Sequence, residues 1–513
     1  MTRSQAFTPS LGRWILIGTI LPSSMAFIDS TALNVALPAI QQDLGMDATS
    51  LLWVVNGYAI FLAALLLAGG ALGDTLGRKR IFMIGISVFT VASVLCGIST
   101  SSAMLIAMRC LQGIGGALMA PGSLAIISAS FPEDQRGKAI GTWSMFSTVT
   151  TVFGPILGGW LAGKGLWHWI FFINVPLGII SLIILQRFVP ESRNEEADGV
   201  DYAGTLSVTL GLGALTFGFI EVAEHSWTDP LILGSFIVGI LSLIAFVQIE
   251  RRVKNPLVPL KLFQSSTFSG ANLMTFTLYF ALGGLLFFFP LNLIQIQGYP
   301  AELAGMTMLP FAVLMAILAR LSGQWVDKRG YRGPMIVGPI LTAGAFMLYA
   351  APGITGGPAD FWTSYFPAIL VMGIGMGITV VPLTTAVMGC VSDQYAGAAS
   401  GINNTVARAA SVLAIAMMGA LMLLNFRQVF MTSLEDLQLS ADVMQQLEIA
   451  SLKLADTRPP DSLPADQQAQ ILERVKLAFI SAFRTTGWVC AGLSLLSAGI
   501  SFWLIERNPQ KVS

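Results

Sequence analysis

Fourteen long apolar runs follow one another along the chain, and they constrain its fold more than any other feature. Each has about 20 residues, which as a helix cross the roughly 30 Å hydrocarbon core of a bilayer. Barrel strands need only about 10 residues, so the runs predict helices, which satisfy their own backbone hydrogen bonds in lipid. The predicted spans are Trp14–Leu37, Leu51–Gly73, Ile81–Ser99, Ala103–Ile127, Ile140–Ala162, Trp167–Gln186, Ala203–Ile220, Leu231–Ile249, Phe268–Phe289, Leu303–Gly323, Met335–Ala350, Trp362–Met388, Ile402–Asn425 and Phe483–Ile505.

The composition also indicates an integral membrane protein. Of the 513 residues, 54% are hydrophobic and only 11% are charged, whereas a soluble protein carries roughly 25% charged residues. The net charge is +0, so no overall field attracts nucleic acid. The first run is too long for a cleaved signal peptide, and Asp29 and Asn34 interrupt it, so we expect it to remain as the first span.

Lys and Arg are distributed unequally between the two sets of loops. One set contains basic groups such as Arg78–Arg80 and Arg251–Lys254, whereas the opposite short loops contain only Lys164. This asymmetry predicts a multi-pass protein of an inner or plasma membrane with both termini in the cytoplasm. The segment 426–482 then lies on the extracytoplasmic side of the membrane. Its Leu-rich stretches fit short amphipathic helices and, equally, a flexible loop.

The sequence lacks the usual signs of an enzyme or a metal protein. The four cysteines are scattered singly, and His168 and His225 are far apart, so no metal site is expected. No glycine-rich phosphate loop ending in Gly-Lys-Ser/Thr is present, which argues against ATP hydrolysis. We therefore expect no cofactor and no enzymatic activity, and we expect a proton gradient to be the energy source.

Two loop motifs occur twice, at nearly the same separation in the chain. "GALGDTLGRKR" (70–80) is matched by "GQWVDKRGYR" (323–332), and "EDQRGKAIG" (133–141) is matched by "SDQYAGAASG" (392–401). Convergent turn chemistry is the alternative, since Asp and Gly both suit turns. Duplication predicts an N-terminal six-helix bundle (1–190), two inserted helices (191–262) and a C-terminal six-helix bundle (263–513) that includes the loop 426–482. Such repeats fit alternating access around a central site.

Several motifs in this order resemble the major facilitator superfamily, and specifically its fourteen-span drug:proton antiporter branch (EmrB/QacA-like). They are "DSTALNVALP", "GALGDTLGRKR", "RCLQGIGGA", "GPILGG", "WHWIFFINVPLG" and "DYAG". The resemblance covers nearly the whole chain and implies the major facilitator fold and export of drugs. One departure is Thr150, which stands where the branch usually has a glycine.

Two of these motifs have predicted mechanical roles. The first is a conformational latch between spans two and three, in which Asp at a helix end pairs with basic groups and glycine permits a tight turn. The second is the antiporter motif of span five, where glycines let helices approach closely and proline bends the span. The latch residues are Gly70, Asp74, Gly77, Arg78 and Asp327, and the antiporter residues are Gly154, Pro155, Gly158 and Gly159.

Asp29 and Arg109 are ionisable side chains inside predicted spans. Such residues are costly in lipid and functional by default. We predict that Asp29 takes and releases the coupled proton, and the resemblance implies a proton-transfer role for Arg109. The alternatives are that Asp29 caps a broken helix and that Arg109 extends to the outer surface.

Met and aromatic side chains suit a cavity that accepts varied amphiphiles. The predicted cavity residues are Phe27, Asn34, Trp53, Gln112, Phe146, Phe276 and Phe280. Because Asp29 is the one acidic residue placed deep in a span, we expect neutral or monocationic amphipathic substrates, with protons and membrane lipid as the other partners. A periplasmic adaptor is neither required nor excluded. A proton symporter that imports a metabolite, and a non-transporting receptor or scaffold, are the competing interpretations.

Overall fold

The computed structural model describes residues 9–193, 199, 201–222, 225–254, 256–392 and 395–506. Over these residues the chain is helical and forms no β-strand. The α-helices are α1 (Pro9–Leu44), α2 (Ala48–Leu76), α3 (Arg78–Gly97), α4 (Ser102–Ser130), α5 (Glu133–Gly163), α6 (Trp169–Phe172), α7 (Asn174–Phe188), α8 (Tyr202–Glu221), α9 (Pro230–Glu250), α10 (Ser266–Leu291), α11 (Ala301–Met306), α12 (Leu309–Arg329), α13 (Arg332–Ala350), α14 (Phe366–Gly389), α15 (Ala396–Ser433), α16 (Ala441–Ala450) and α17 (Ala465–Leu504).

The described residues contain 14 helical segments that are long and apolar enough to cross a membrane. Helices α6 and α7 together form the sixth of them, and α11 contributes to the tenth. The predicted all-α membrane fold with fourteen spans is therefore confirmed. Serine side chains cap several helices as their sequences lead one to expect: Ser101 accepts a hydrogen bond from the backbone of Met104 at the start of α4, and Ser265 accepts one from Phe268 in α10.

The segment 426–482 is largely helical, so the structure favours the first of the two alternatives open from the sequence. Helix α15 continues to Ser433, and α17 begins at Ala465, well before the predicted start of the last span at Phe483. The extension of α17 is amphipathic. Its Ile471, Val475 and Phe479 recur every four residues and are buried, whereas Glu473 and Lys476 are exposed.

The chain forms two compact units. Unit 1 comprises Met1–Ala36, Gly57–Thr209 and Ile244–Leu257, and unit 2 comprises Leu37–Asn56, Leu210–Leu243 and Val258–Ser513. The start of α8 and the end of α9 belong to unit 1, and the remaining parts of both helices belong to unit 2. The predicted domain boundaries at 190 and 262 stay a prediction.

Each unit has its own apolar core. In unit 1, Phe82, Ile86 and Phe89 of α3 are buried beside Tyr58 and Met119. In unit 2, the core includes a cluster of aromatic rings from α10, α13 and the residue before α14. There the ring of Phe289 lies 4.9 Å from that of Tyr349 and 5.4 Å from that of Tyr365. This apolar packing fixes the distances between helices within each unit and so positions the polar side chains that lie between them.

Candidate functional site

Three polar side chains form a closed hydrogen-bonded cluster inside unit 1. Arg109 Nη1 donates to Asp29 Oδ2 at 2.6 Å and to Gln112 Oε1 at 2.6 Å, and Gln112 Nε2 donates to Asp29 Oδ1 at 2.8 Å. Their side chains are almost fully buried, with exposures of 0% for Asp29, 1% for Arg109 and 0% for Gln112. We call these three residues the polar triad. The triad joins α1 to α4, and the spacing of three residues places Arg109 and Gln112 on one face of α4.

The triad decides between the alternatives that the sequence left open for its members. Helix α1 continues through Asp29 without a break, so this carboxylate does not cap a broken helix. Arg109 is buried and bonded to Asp29, so its side chain does not extend to the outer surface. An ion pair removed from water is stable only when further hydrogen bonds satisfy both charges. Gln112 supplies such bonds to both partners.

A second layer of residues surrounds the triad, and the sequence did not single these residues out. Asn174 Nδ2 donates to Ser93 Oγ at 2.9 Å, and Ser93 Oγ lies 3.5 Å from Gln112 Nε2. The guanidinium carbon of Arg109 lies 4.4 Å from the ring centroid of Tyr58 and 5.9 Å from that of Phe171. These aromatic faces favour the cation. The residues come from separate helices at no regular spacing, and isolated polar residues in spans three and six were the only signal for Ser93 and Asn174.

The glycines of the antiporter motif pack α5 against α1 beside Asp29. A Cβ atom on Gly154 would overlap Thr31 Oγ1, and one on Gly158 would overlap the carbonyl oxygen of Ala32. Only a residue without a side chain fits such an approach. Gly159 is also buried, and Pro155 lies within α5. The motif therefore fixes α1 within one turn of the triad.

The predicted latch shows a local ion pair and a partner that the sequence analysis missed. Arg78 Nε lies 2.8 Å from Asp74 Oδ1. Gly77 has φ +113°, and a Cβ there would lie 2.7 Å from the carboxylate carbon of Glu191. Glu191 accepts hydrogen bonds from the backbone nitrogens of residues 79 and 80, at 2.9 and 3.1 Å, and so caps α3. A Cβ on Gly70 would meet only Pro121, at 3.6 Å. The side chain of Asp327 lies outside the described residues.

The predicted cavity residues occur in both units. Phe27 and Asn34 are half-buried on α1, and Phe146 is 44% exposed on α5. In unit 2, Trp53 Nε1 donates to Glu221 Oε1 at 2.8 Å, and the rings of Phe276 and Phe280 lie 5.9 Å apart. Of the set, Gln112 alone belongs to the polar triad. The assignment of the others to a substrate cavity stays a prediction.

Comparison with known proteins adds information independent of this geometry. The family model described as Major Facilitator Superfamily matches residues 20–415. The chain is 33% identical over 429 residues to the multidrug resistance protein Stp of Mycobacterium tuberculosis, covering 82% of this chain and 76% of Stp. It is 29% identical over 523 residues to the tetracenomycin C resistance and export protein of Streptomyces glaucescens, covering 99% of this chain and 95% of that protein.

Among solved structures, a bacterial homologue of the human lysosomal transporter Spinster superposes with a TM-score of 0.67 at 17% identity, over 97% of this chain and 98% of that one. At this identity the likeness shows the fold alone. The nucleoside transporter NupG has a TM-score of 0.62 at 12% identity, over 97% of this chain and 100% of that one. The same conclusion follows from the family match, the fourteen spans and the relatives. The chain is a multi-pass membrane transporter that belongs to the Major Facilitator Superfamily.

Proposed function

We propose that the protein exports neutral or monocationic amphipathic molecules in exchange for protons, and that Asp29 is the carboxylate that couples the two. The observation that carries this proposal is the polar triad, in which a fully buried carboxylate faces a fully buried guanidinium at 2.6 Å. The names of the relatives support the direction, since they are resistance and export proteins.

The triad has two charge states that differ in their internal bonding. With Asp29 ionised, its charge balances that of Arg109, and Gln112 bonds to both. When Asp29 accepts a proton, it loses the ion pair, and Arg109 keeps its hydrogen bond to Gln112. A ligand or proton that prefers one state shifts the population of conformations.

The proposed preference for neutral or monocationic substrates rests on the same carboxylate, Asp29. Among the described residues, the other acidic side chains of the spans lie near helix ends, such as Asp74, Glu221 and Glu302. A monocation and a proton can therefore compete for the single negative charge of Asp29. A dication would leave one positive charge uncompensated in the membrane, which is costly.

The test uses inverted membrane vesicles whose interior has been acidified. Interior pH is followed while fluorescent lipophilic monocations are added to vesicles that contain the wild type, Asp29→Asn or Asp461→Asn. Asp461 is an exposed carboxylate between α16 and α17 and is the matched control. We expect proton release in the wild type and in Asp461→Asn, and none in Asp29→Asn.

Proton release that persists in Asp29→Asn would overturn the role of Asp29 while leaving antiport intact. Release in none of the three, with substrate accumulation still present, would contradict proton antiport itself.

A further inference from the structure

Asn56 in α2 carries a fully buried amide that makes no hydrogen bond. Its exposure is 0%, and neither Nδ2 nor Oδ1 has a hydrogen-bond partner among the described residues. By contrast, the buried Asn174, Asn272 and Asn292 each donate at least one hydrogen bond. An amide that gives up its bonds to water and gains none in return destabilises a fold. The presence of Asn56 therefore requires an explanation other than stability.

The neighbouring residues of α2 show which helices Asn56 faces within unit 2. Leu52 packs on α15, since a Cβ on Gly419 would lie 2.6 Å from its side chain. Trp53 Nε1 donates to Glu221 Oε1 of α8 at 2.8 Å. Side chains that are three or four residues apart share one face of a helix. Asn56 therefore lies on the face of α2 that Leu52 and Trp53 present to α15 and α8.

Thr216 of α8 lies at the same depth as Asn56. Spans two and seven, which contain these residues, cross the membrane in opposite directions because successive spans alternate. The ring of Trp53 lies 6.1 Å from that of Phe217, so its contacts with α8 centre midway between Phe217 and Glu221. Asn56 stands three residues after Trp53, and Thr216 stands three residues before that midpoint. Since the two helices are antiparallel, both steps lead to the same level.

The hydroxyl group of Thr216 is unused, unlike those of the two threonines that precede it in α8. Thr205 Oγ1 and Thr209 Oγ1 each donate to the carbonyl oxygen four residues earlier, at 2.7 Å. Thr216 is 0% exposed, yet its Oγ1 has no hydrogen-bond partner in the described part of the chain. Two buried side chains that can both donate and accept hydrogen bonds are thus left unpaired at one depth.

We propose that Asn56 and Thr216 bind a hydroxyl or carbonyl group of the transported molecule and so select substrates that carry one. This inference rests on the proposed function, because it adds a specificity to the export of amphiphiles. Both side chains are fully buried in the present conformation, so a substrate reaches them when α2 moves away from α8 during alternating access. A site built to hydrogen-bond its substrate disfavours analogues without the bonding group, because its own polar atoms then stay unpaired.

Equilibrium binding of two matched probes to the full-length protein in lipid nanodiscs tests the site. The probes are para-tolyl(triphenyl)phosphonium and its para-hydroxymethyl analogue, two lipophilic monocations that differ by one hydroxyl group. We expect the wild type to bind the hydroxyl-bearing probe about tenfold more tightly, as one hydrogen bond provides. This preference should disappear in Asn56→Leu and in Thr216→Val, while the affinity for the tolyl probe stays the same. Thr209→Val is the matched control and should keep the preference, because the hydroxyl of Thr209 is already bonded within α8.

Thermal unfolding of the ligand-free protein gives a second readout. Asn56→Leu should raise the unfolding midpoint, because leucine has a similar size and leaves no polar atom unpaired. The same substitution at Asn403, whose amide donates two hydrogen bonds, should lower the midpoint. A lower midpoint in Asn56→Leu would overturn the proposal, because the amide would then already be bonded in the free protein, for instance to a buried water.

The binding results separate this inference from the proposed function, since no proton gradient is applied. A preference that survives in Asn56→Leu or in Thr216→Val would overturn the site. Equal binding of both probes by the wild type would also overturn it, but would leave the proposed export of monocations standing. Binding of neither probe would contradict both.

Discussion

Each unit contains a buried polar cluster between membrane-spanning helices, but the cluster in unit 1 is charged and the one in unit 2 is neutral. In unit 2, Asn403 Nδ2 donates to Asn272 Oδ1 at 3.2 Å and to Thr275 Oγ1 at 2.7 Å, which links α15 to α10. Asn272 Nδ2 in turn donates to the carbonyl oxygen of Phe268 at 2.9 Å. We call these the amide cluster. The polar triad joins α1 to α4 through an ion pair instead.

The two clusters differ in whether a proton can change their bonding. Amides and hydroxyls do not titrate near neutral pH, so a proton leaves the hydrogen bonds of the amide cluster unchanged. A carboxylate paired with a guanidinium changes its bonding when a proton arrives. Removing one member of a buried ion pair also leaves the other charge uncompensated, which costs far more than a lost neutral hydrogen bond.

Two close helix contacts, one beside the polar triad and one in unit 2, differ in the atoms that an added Cβ would meet. In unit 1, α5 approaches α1 so closely that a Cβ on Gly158 would overlap a backbone carbonyl oxygen. In unit 2, a Cβ on Gly284 of α10 would lie 2.5 Å from the side chain of Met418 on α15. A methionine side chain can rotate away, whereas backbone cannot. An added methyl group is therefore harder to accommodate at Gly158, beside the polar triad, than at Gly284.

The largest effect is expected from Arg109→Ala. It leaves Asp29 buried without its cation, and the free energy of unfolding should fall by about 3–5 kcal/mol. The double variant Asp29→Asn/Arg109→Met removes both charges and should recover most of that loss, but not transport. Denaturant unfolding in detergent measures both values. If the double variant were as unstable as the sum of its two single changes, the triad would not be an energetic unit.

A smaller effect is expected from Gly158→Ala. The added methyl group would collide with the carbonyl oxygen of Ala32 and should lower the free energy of unfolding by about 1–3 kcal/mol. Gly284→Ala should lower the free energy of unfolding by less, because the side chain of Met418 can adopt another rotamer. Gly141→Ala, on α5 with nothing within 4 Å of the added atom, is the matched control. Equal losses for Gly158→Ala and Gly284→Ala would contradict the contrast between backbone and side-chain contacts.

The smallest effect is expected from Asn403→Ala. It removes two interhelical hydrogen bonds of the amide cluster, which in membranes contribute on average about 0.6 kcal/mol each. The free energy of unfolding should therefore fall by about 1 kcal/mol. The proton release from vesicles that substrate addition causes should keep its dependence on pH. A changed pH dependence would show that unit 2 also takes part in proton coupling, and the contrast between the two clusters would then fail.

Much of the architecture was predictable because bilayer thickness sets the length of an apolar helix. The fourteen spans follow from local patterns, and so does the position of Asp29 and Arg109 inside two of them. The helix α17 begins before the predicted span, and its first turns contain glutamine and charged residues that a membrane span rarely carries. Glu191 was missed for another reason. It follows the sixth span, yet it caps α3, and nothing in the local sequence links the two.

It follows from the sequence that the chain crosses a membrane, how often it does so, and which ionisable groups lie within its spans, since these depend on hydrophobicity summed over short windows. Which of these groups meet depends on the packing of the helices. Arg109 pairs with Asp29 because the packing of α4 against α2 and α3 directs its side chain toward α1. Such contacts join residues far apart in the chain, and their energies depend on ångström distances that no linear pattern contains.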